Sequence, residues 1–241
     1  MLDLYTFDKF AFDNHKIQPS MEFIPEWWKN IPPKLFLEGN KKTEGSRAST
    51  MRHCPGFIDL FKETFTLPLW GDLIINVDSE KNMFDYDFVP ESDLNVFSHA
   101  TFQRGEFMPD NDFIQLQVES PWKAVSSDTD VNWLMVPAVW NQNEYMLRET
   151  TFVPGLLNFK YSHLTNVQLF INNSSQELFF SAGTPLVYLV PLTDREVEIN
   201  HYYDPEKHSQ LGRKSQSFSF VHSHYRKKSW CERPGKFNEF H

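Results

Sequence analysis

Cysteine is nearly missing: Cys54 and Cys231 are the two in 241 residues, and they stand far apart in the chain. A disulfide framework needs more cysteines, and tetrahedral zinc needs Cys and His in short-spaced groups. The expectation is no disulfide, no structural zinc and no cofactor, in a reducing compartment. Glycine is sparse too, with 9 residues against 15 prolines, which excludes collagen-like and glycine-rich flexible chains. No apolar run approaches the roughly 20 residues of a membrane-spanning helix. The opening residues Met1-Leu-Asp-Leu-Tyr-Thr-Phe-Asp lack the basic and apolar regions of a signal peptide, so export by that route and a membrane partner are not expected. Catalytic signatures are absent in the same way. There is no Gly-x-Ser-x-Gly elbow, no Gly-x-x-x-x-Gly-Lys loop and no Gly-x-Gly-x-x-Gly turn. These gaps point away from the common enzyme classes.

What the chain has in quantity is aromatic side chains: Phe 23, Tyr 8 and Trp 7 make up 16% of it. Aromatic and β-branched residues suit pleated, half-buried surfaces. Charge is unevenly spread. Residues 204–241 carry a balance of +4, while the preceding residues carry −13, for a net −9. An acidic body repels a phosphate backbone, so nucleic acid is not an expected partner. The basic tail suits an acidic neighbour, including the body of another copy, or is simply a solvated helix face.

Three regions follow. Residues 1–50 read as an extended arm and loop with little periodicity. Within them Pro25-Glu-Trp-Trp-Lys-Asn-Ile-Pro-Pro33 predicts one short helical turn that closes at the prolines. Residues 51–203 read as the core domain, opening with a short helix after Pro55, a favourable first-turn position. Strands are predicted at 67–78, 83–88, 113–118, 132–139, 145–153, 166–171, 177–181, 186–191 and 196–200. The segment Met83-Phe-Asp-Tyr-Asp-Phe88 alternates apolar with acidic residues, as a half-buried strand does. The run Pro185-Leu-Val-Tyr-Leu-Val-Pro191 is apolar on both faces and belongs inside a sheet or at a subunit contact. Residues 204–241 read as a basic helix and tail, with the helix over 204–229 and a break near Gly212. The predicted fold is mainly β: one antiparallel sandwich or jelly-roll-like domain with an extended N-terminal arm and a C-terminal helix.

Metal and acid–base constellations fare poorly. The pairs Asp85/Asp87, Asp110/Asp112 and Asp128/Asp130 each place two carboxylates on one strand face. Asp128-Thr-Asp-Val-Asn132 begins like a calcium loop, but Trp133 replaces the required glycine and Val139 the terminal glutamate. No His precedes Asp or Glu by two residues, so an oxygenase-type iron triad is not encoded. His222-Ser-His224 falls in the predicted helix, where side chains two apart diverge. The pair His99 and Gln103 is the one weak catalytic candidate, able to orient a ligand or a water in a pocket. Burial against backbone groups is the commoner outcome for such a pair.

The succession of short motifs resembles an uncharacterised family of marine bacteriophage proteins of the cyanophage and pelagiphage type. It is carried by Pro25-Glu-Trp-Trp-Lys-Asn-Ile-Pro, Arg52-His-Cys-Pro-Gly-Phe-Ile-Asp, Leu67-Pro-Leu-Trp-Gly-Asp, Ser98-His with Gln103, Pro121-Trp and Ala182-Gly-Thr-Pro-Leu-Val-Tyr-Leu-Val-Pro. These span about three quarters of the chain in collinear order. The chain departs from the pattern at Leu192-Thr-Asp-Arg, where a more basic segment is expected, and in its C-terminal tail. The resemblance implies phage origin and one β-rich domain with an N-terminal arm, and it implies no activity. The function expected is a virion structural or assembly component, located in the virion or the host cytoplasm. Its protein-binding residues would be Phe23, Trp27 and Trp28 in the arm and Tyr225, Arg226, Lys227 and Lys228 in the tail. Their partners would be other phage proteins, identical copies, or both. The arm's alternative is to cross its own sheet. Two other functions are carried forward: an auxiliary phage enzyme on a jelly-roll scaffold, and a glycan or small-molecule binding module using Trp70, Trp122 and Trp140.

Overall fold

The computed structural model describes residues 1–36, 47–80, 83–98, 113–127, 131–174 and 176–220. Strand exceeds helix, 42% to 26%, so the chain is mainly β, as its composition predicts. The N-terminal part contributes β1 (Leu2–Thr6), α1 (Lys9–Asn14), β2 (Gln18–Pro19), α2 (Glu26–Asn30), β3 (Lys34–Phe36) and β4 (Arg47–Ser49). Then come α3 (Pro55–Glu63), β5 (Phe65–Pro68), β6 (Asp72–Asp78), β7 (Met83–Val89), β8 (Val96–Ser98), β9 (Phe113–Val118) and β10 (Trp122–Ser126). Next are β11 (Trp133–Pro137), α4 (Glu144–Glu149), β12 (Thr150–Phe152), β13 (Gly155–Leu157) and β14 (Val167–Asn172). The last are β15 (Gln176–Phe180), β16 (Pro185–Pro191), β17 (Ile199–Tyr203) and α5 (Pro205–Phe220).

The strands form a five-stranded sheet β13-β11-β16-β5-β2, a four-stranded sheet β12-β14-β9-β8, and two three-stranded sheets, β10-β1-β17 and β15-β6-β7. A small β3-β4 pair stands apart from them. Pairing among the described strands is antiparallel except between β1 and β17. The sheets enclose one main core in a single domain and do not close into a barrel. β16 lies between β11 and β5 and buries Leu186, Val187, Tyr188 and Leu189, which explains its unbroken apolar run.

At the level of β1 the N-terminal segment neither extends as a free arm nor crosses a sheet face. It is the middle strand of its sheet, pairing with β10 on one side and β17 on the other. Leu2, Leu4 and Thr6 point inward and are fully buried, while Asp3 and Tyr5 face outward. Ala11, Ile17 and Ser20 continue this burial. The arm is thus sewn into its own chain over its first 20 residues.

Other boundaries differ from the sequence reading for local reasons. The strand predicted over 67–78 is two strands, because Pro68 donates no hydrogen bond and the chain turns a corner at Leu69-Trp70-Gly71. The Leu69 N–H donates to the Thr184 carbonyl at 2.8 Å, and the Gly183 N–H donates to the Leu69 carbonyl at 2.7 Å. Gly183 stands at φ 79°, a conformation that favours glycine, so the turn before β16 and this corner are locked together. The strand predicted over 145–153 is mostly the helix α4. Asn143 caps it by accepting from the Met146 N–H at 2.8 Å, and this cap decides for helix over the alternation of Tyr145 and Leu147. The helix predicted over 204–229 runs without a break past Gly212 as far as the described residues extend, to Phe220. Asp204 is its cap, accepting from the Lys207 N–H at 2.8 Å.

Candidate functional site

The predicted binding residues of the arm converge. α2 is a single turn between Pro25 and the Pro32-Pro33 pair, and it presents Trp27 and Trp28 side by side. Phe57, from the first turn of α3, is the hub beneath them. Its ring lies 5.4 Å from Trp28 in a stacked arrangement, 5.8 Å from Trp27 edge-on, 5.2 Å from Trp140 and 4.8 Å from Phe61. These rings form a second hydrophobic cluster, separate from the main core, with Tyr188 of β16 at its base. Polar contacts fix it. The Trp27 Nε1–H donates to the Trp140 carbonyl at 3.1 Å, and the Trp28 Nε1–H donates to the Met51 carbonyl at 3.3 Å. Arg52 donates to the Lys29 and Ile31 carbonyls and holds its guanidinium over the Trp28 ring. Phe23 is half-buried, and its carbonyl accepts from Asn141 Nδ2 at 2.6 Å; Asn141 Oδ1 in turn accepts from the Tyr188 hydroxyl. Burial pushes that phenol well above its ordinary pKa.

Among the described residues nothing fully covers this cluster on its outer side. Trp27 keeps 40% of its surface exposed although its ring is held in place. Met51 and Val139, each next to a residue in these contacts, are exposed as well, and so is Met21, two residues before Phe23. The result is an aromatic and methionine ledge on the outside of the sheet body.

The tail candidates Tyr225, Arg226, Lys227 and Lys228 lie outside the described residues, as do His99 and Gln103. The tryptophans of the glycan reading are corrected. Trp70 and Trp122 are core residues, 1% and 0% exposed, because each sits on an inward face of the sheets. Trp70 stacks on Phe88 and Trp122 meets His201 edge-on, so neither offers a platform to a sugar. Trp140 is half-buried in the ledge. Asp85 and Asp87 lie exposed on the edge strand β7, which is the ordinary polar face of such a strand. Cys54 is a free, exposed thiol at the start of α3, and Cys231 lies outside the described residues.

A second feature was not singled out by any motif. α5 lies across β1 and β10, and a cleft of about 560 Å³ opens beside it. Lys123 of β10 is part of its lining, yet the residue is only 3% exposed. Among the described residues its ammonium has neither a hydrogen-bond acceptor nor an ion-pair partner. Burial lowers its pKa, and the charge of Glu119 offsets part of that. His208 enters from α5 and packs its ring against Phe7 at 4.7 Å. Its pKa is pushed down to about 4, first by burial and then by the Lys123 charge, and its buried Nε2 has no partner among the described residues. His163 braces the same region: its Nδ1 lies 2.9 Å from the Ala124 carbonyl, and its N–H donates to the Ser215 hydroxyl of α5. The sequence signal for the cleft is slight, a lysine inside the apolar stretch Pro121-Trp-Lys-Ala-Val125.

No protein-family profile and no curated protein sequence matches the chain.

Proposed function

We propose that the protein is a phage-encoded structural or assembly component, a β-sandwich-like body that binds other phage proteins or copies of itself and works in the virion or the host cytoplasm. The phage assignment rests on the resemblance in its motifs. The binding assignment rests on the ledge, and one observation carries it: Trp27 is rigidly held by the Trp140 carbonyl and the Phe57 ring while 40% of its surface faces outward. A fixed, amphipathic ring of this kind loses little conformational entropy on binding, which is why tryptophan is enriched among interface anchors. The opposite charges of body and tail favour the same role. No helix of the described residues is long and apolar enough to cross a membrane.

The test is mass spectrometry of purified particles of the encoding phage, made with the wild-type chain or with Trp27→Glu. The wild-type chain is expected at fixed stoichiometry in the particles. The variant should fold with a melting temperature close to wild type and be depleted from particles at least tenfold, since central interface anchors contribute about 2 kcal/mol or more. Wild-type particles free of this chain would overturn the virion reading. Undiminished incorporation of Trp27→Glu would remove the ledge from it.

A further inference from the structure

The cleft beside α5 contains a charge with no ion-pair partner among the described residues. Lysine is almost never fully buried unless it is paired, yet Lys123 is hidden and unpaired among the described residues. The strand explains how it comes to be there. Trp122 and Ala124 point into the main core and are fully buried, so Lys123 must point to the opposite face of β10, where α5 lies. Gly212 of α5 passes so near that a Cβ there would stand 4.0 Å from Lys123 Cε. The helix thus covers the stem of Lys123, whose amine end belongs to the cleft.

The cleft's other walls define what would complete it. Its size falls in the range of ordinary small-molecule sites. Phe7, Leu94 and Leu164 give it an apolar side. Glu119, Asp93 and Arg213 also line it, so its charged walls balance, but neither carboxylate is ion-paired with Lys123; the Glu119 carboxylate instead accepts from the Asn95 backbone N–H and from Asn95 Nδ2, both at 3.3 Å. A single negative charge is wanted at the lysine. The apolar side offers nothing to inorganic phosphate and favours an anion with an apolar body. We propose that this cleft binds a small organic monocarboxylate with an apolar body, its carboxylate seated on the Lys123 ammonium and its body against Phe7, Leu94 and Leu164. An isolated buried charge is strongly unfavourable, and a hydrogen-bonded counter-charge in the same cleft relieves it.

The experiment titrates the full chain calorimetrically with sodium benzoate and with sodium hexanoate, using sodium chloride and sodium phosphate at matched ionic strength as controls. The expected result is saturable one-to-one binding of at least one of the two acids, weakened at least tenfold in Lys123→Met, with phosphate giving no more than chloride. A parallel measurement on the wild-type chain follows reductive methylation of Lys123 by peptide mass spectrometry, which keeps the question answerable if Lys123→Met does not fold. The acid that binds is expected to protect Lys123 severalfold while exposed lysines react as before. Absence of saturable binding by both acids, binding unchanged in Lys123→Met, or equal protection by phosphate would each overturn the proposal.

Discussion

His208 shows how one side chain ties the cleft to stability. Its folded-state pKa of about 4 lies below the ordinary 6.5, because burial and the neighbouring Lys123 both disfavour its protonated form. Between those values the unfolded chain holds a proton that the folded chain refuses. Stability conferred by the neutral ring is therefore fully present above pH 6.5 and is lost as pH falls towards 4. We expect the urea midpoint to drop across this window, and to drop less in His208→Phe, which keeps a ring against Phe7 without the titration. Unfolding curves at pH 7, 5.5 and 4 provide the check, and an unchanged slope in the variant would contradict the assignment. Neither His208 nor Lys123 was legible beforehand. Each is a lone residue without a motif, and its character comes from burial by elements distant in sequence. The placing of Trp27 and Trp28 on one short helical turn was legible, because the flanking prolines bound it on both sides.

At the scale of elements, the strands easiest to read were those whose pattern is self-contained. β7 alternates in its own sequence, β9 and β14 pair along their full length, and β16 is apolar throughout. The proline-started helix α3 was legible for a similarly local reason. β1 and β10 were not, because their pairings join opposite parts of the chain and β10 carries Lys123 in its middle. The consequence is that a segment resembling a loose arm is a structural strand. Leu4 is fully buried in it, so Leu4→Ala is expected to lower stability by about 2–5 kcal/mol, the usual range for a core leucine. Denaturant titration would show this; a loss within experimental error would mean that β1 is not part of the core. α5 permits the opposite change. Gly212 lies within the helix, and its added Cβ would meet only the flexible end of Lys123 at ordinary contact distance. Gly212→Ala should therefore stabilise the protein by up to about 1 kcal/mol, or roughly 2–4 °C in melting temperature. A lowered melting temperature would show that the helix needs glycine there for closer packing.

For the whole molecule, one sheet joins the first and the last of the described strands. β1 enters beside β17, and α5 then crosses both β1 and β10. The Leu2 N–H donates to the Glu198 carbonyl at 2.7 Å, and the Asp204 N–H donates to the Thr6 carbonyl at 3.0 Å, so the N-terminal strand is clamped at both of its ends. That clamp ties the chain's first strand into the body, and the Trp27 ledge stays on the outside, the surface we propose for partners. Hydrogen-exchange mass spectrometry of the free chain and of the chain in purified particles tests this division most directly. Residues 2–6 are expected to exchange as slowly as β16 in both states, and the ledge peptides 21–31, 51–57 and 138–142 to slow at least tenfold in particles. Fast exchange at residues 2–6 in the free chain, or ledge peptides that exchange equally in the two states, would contradict it.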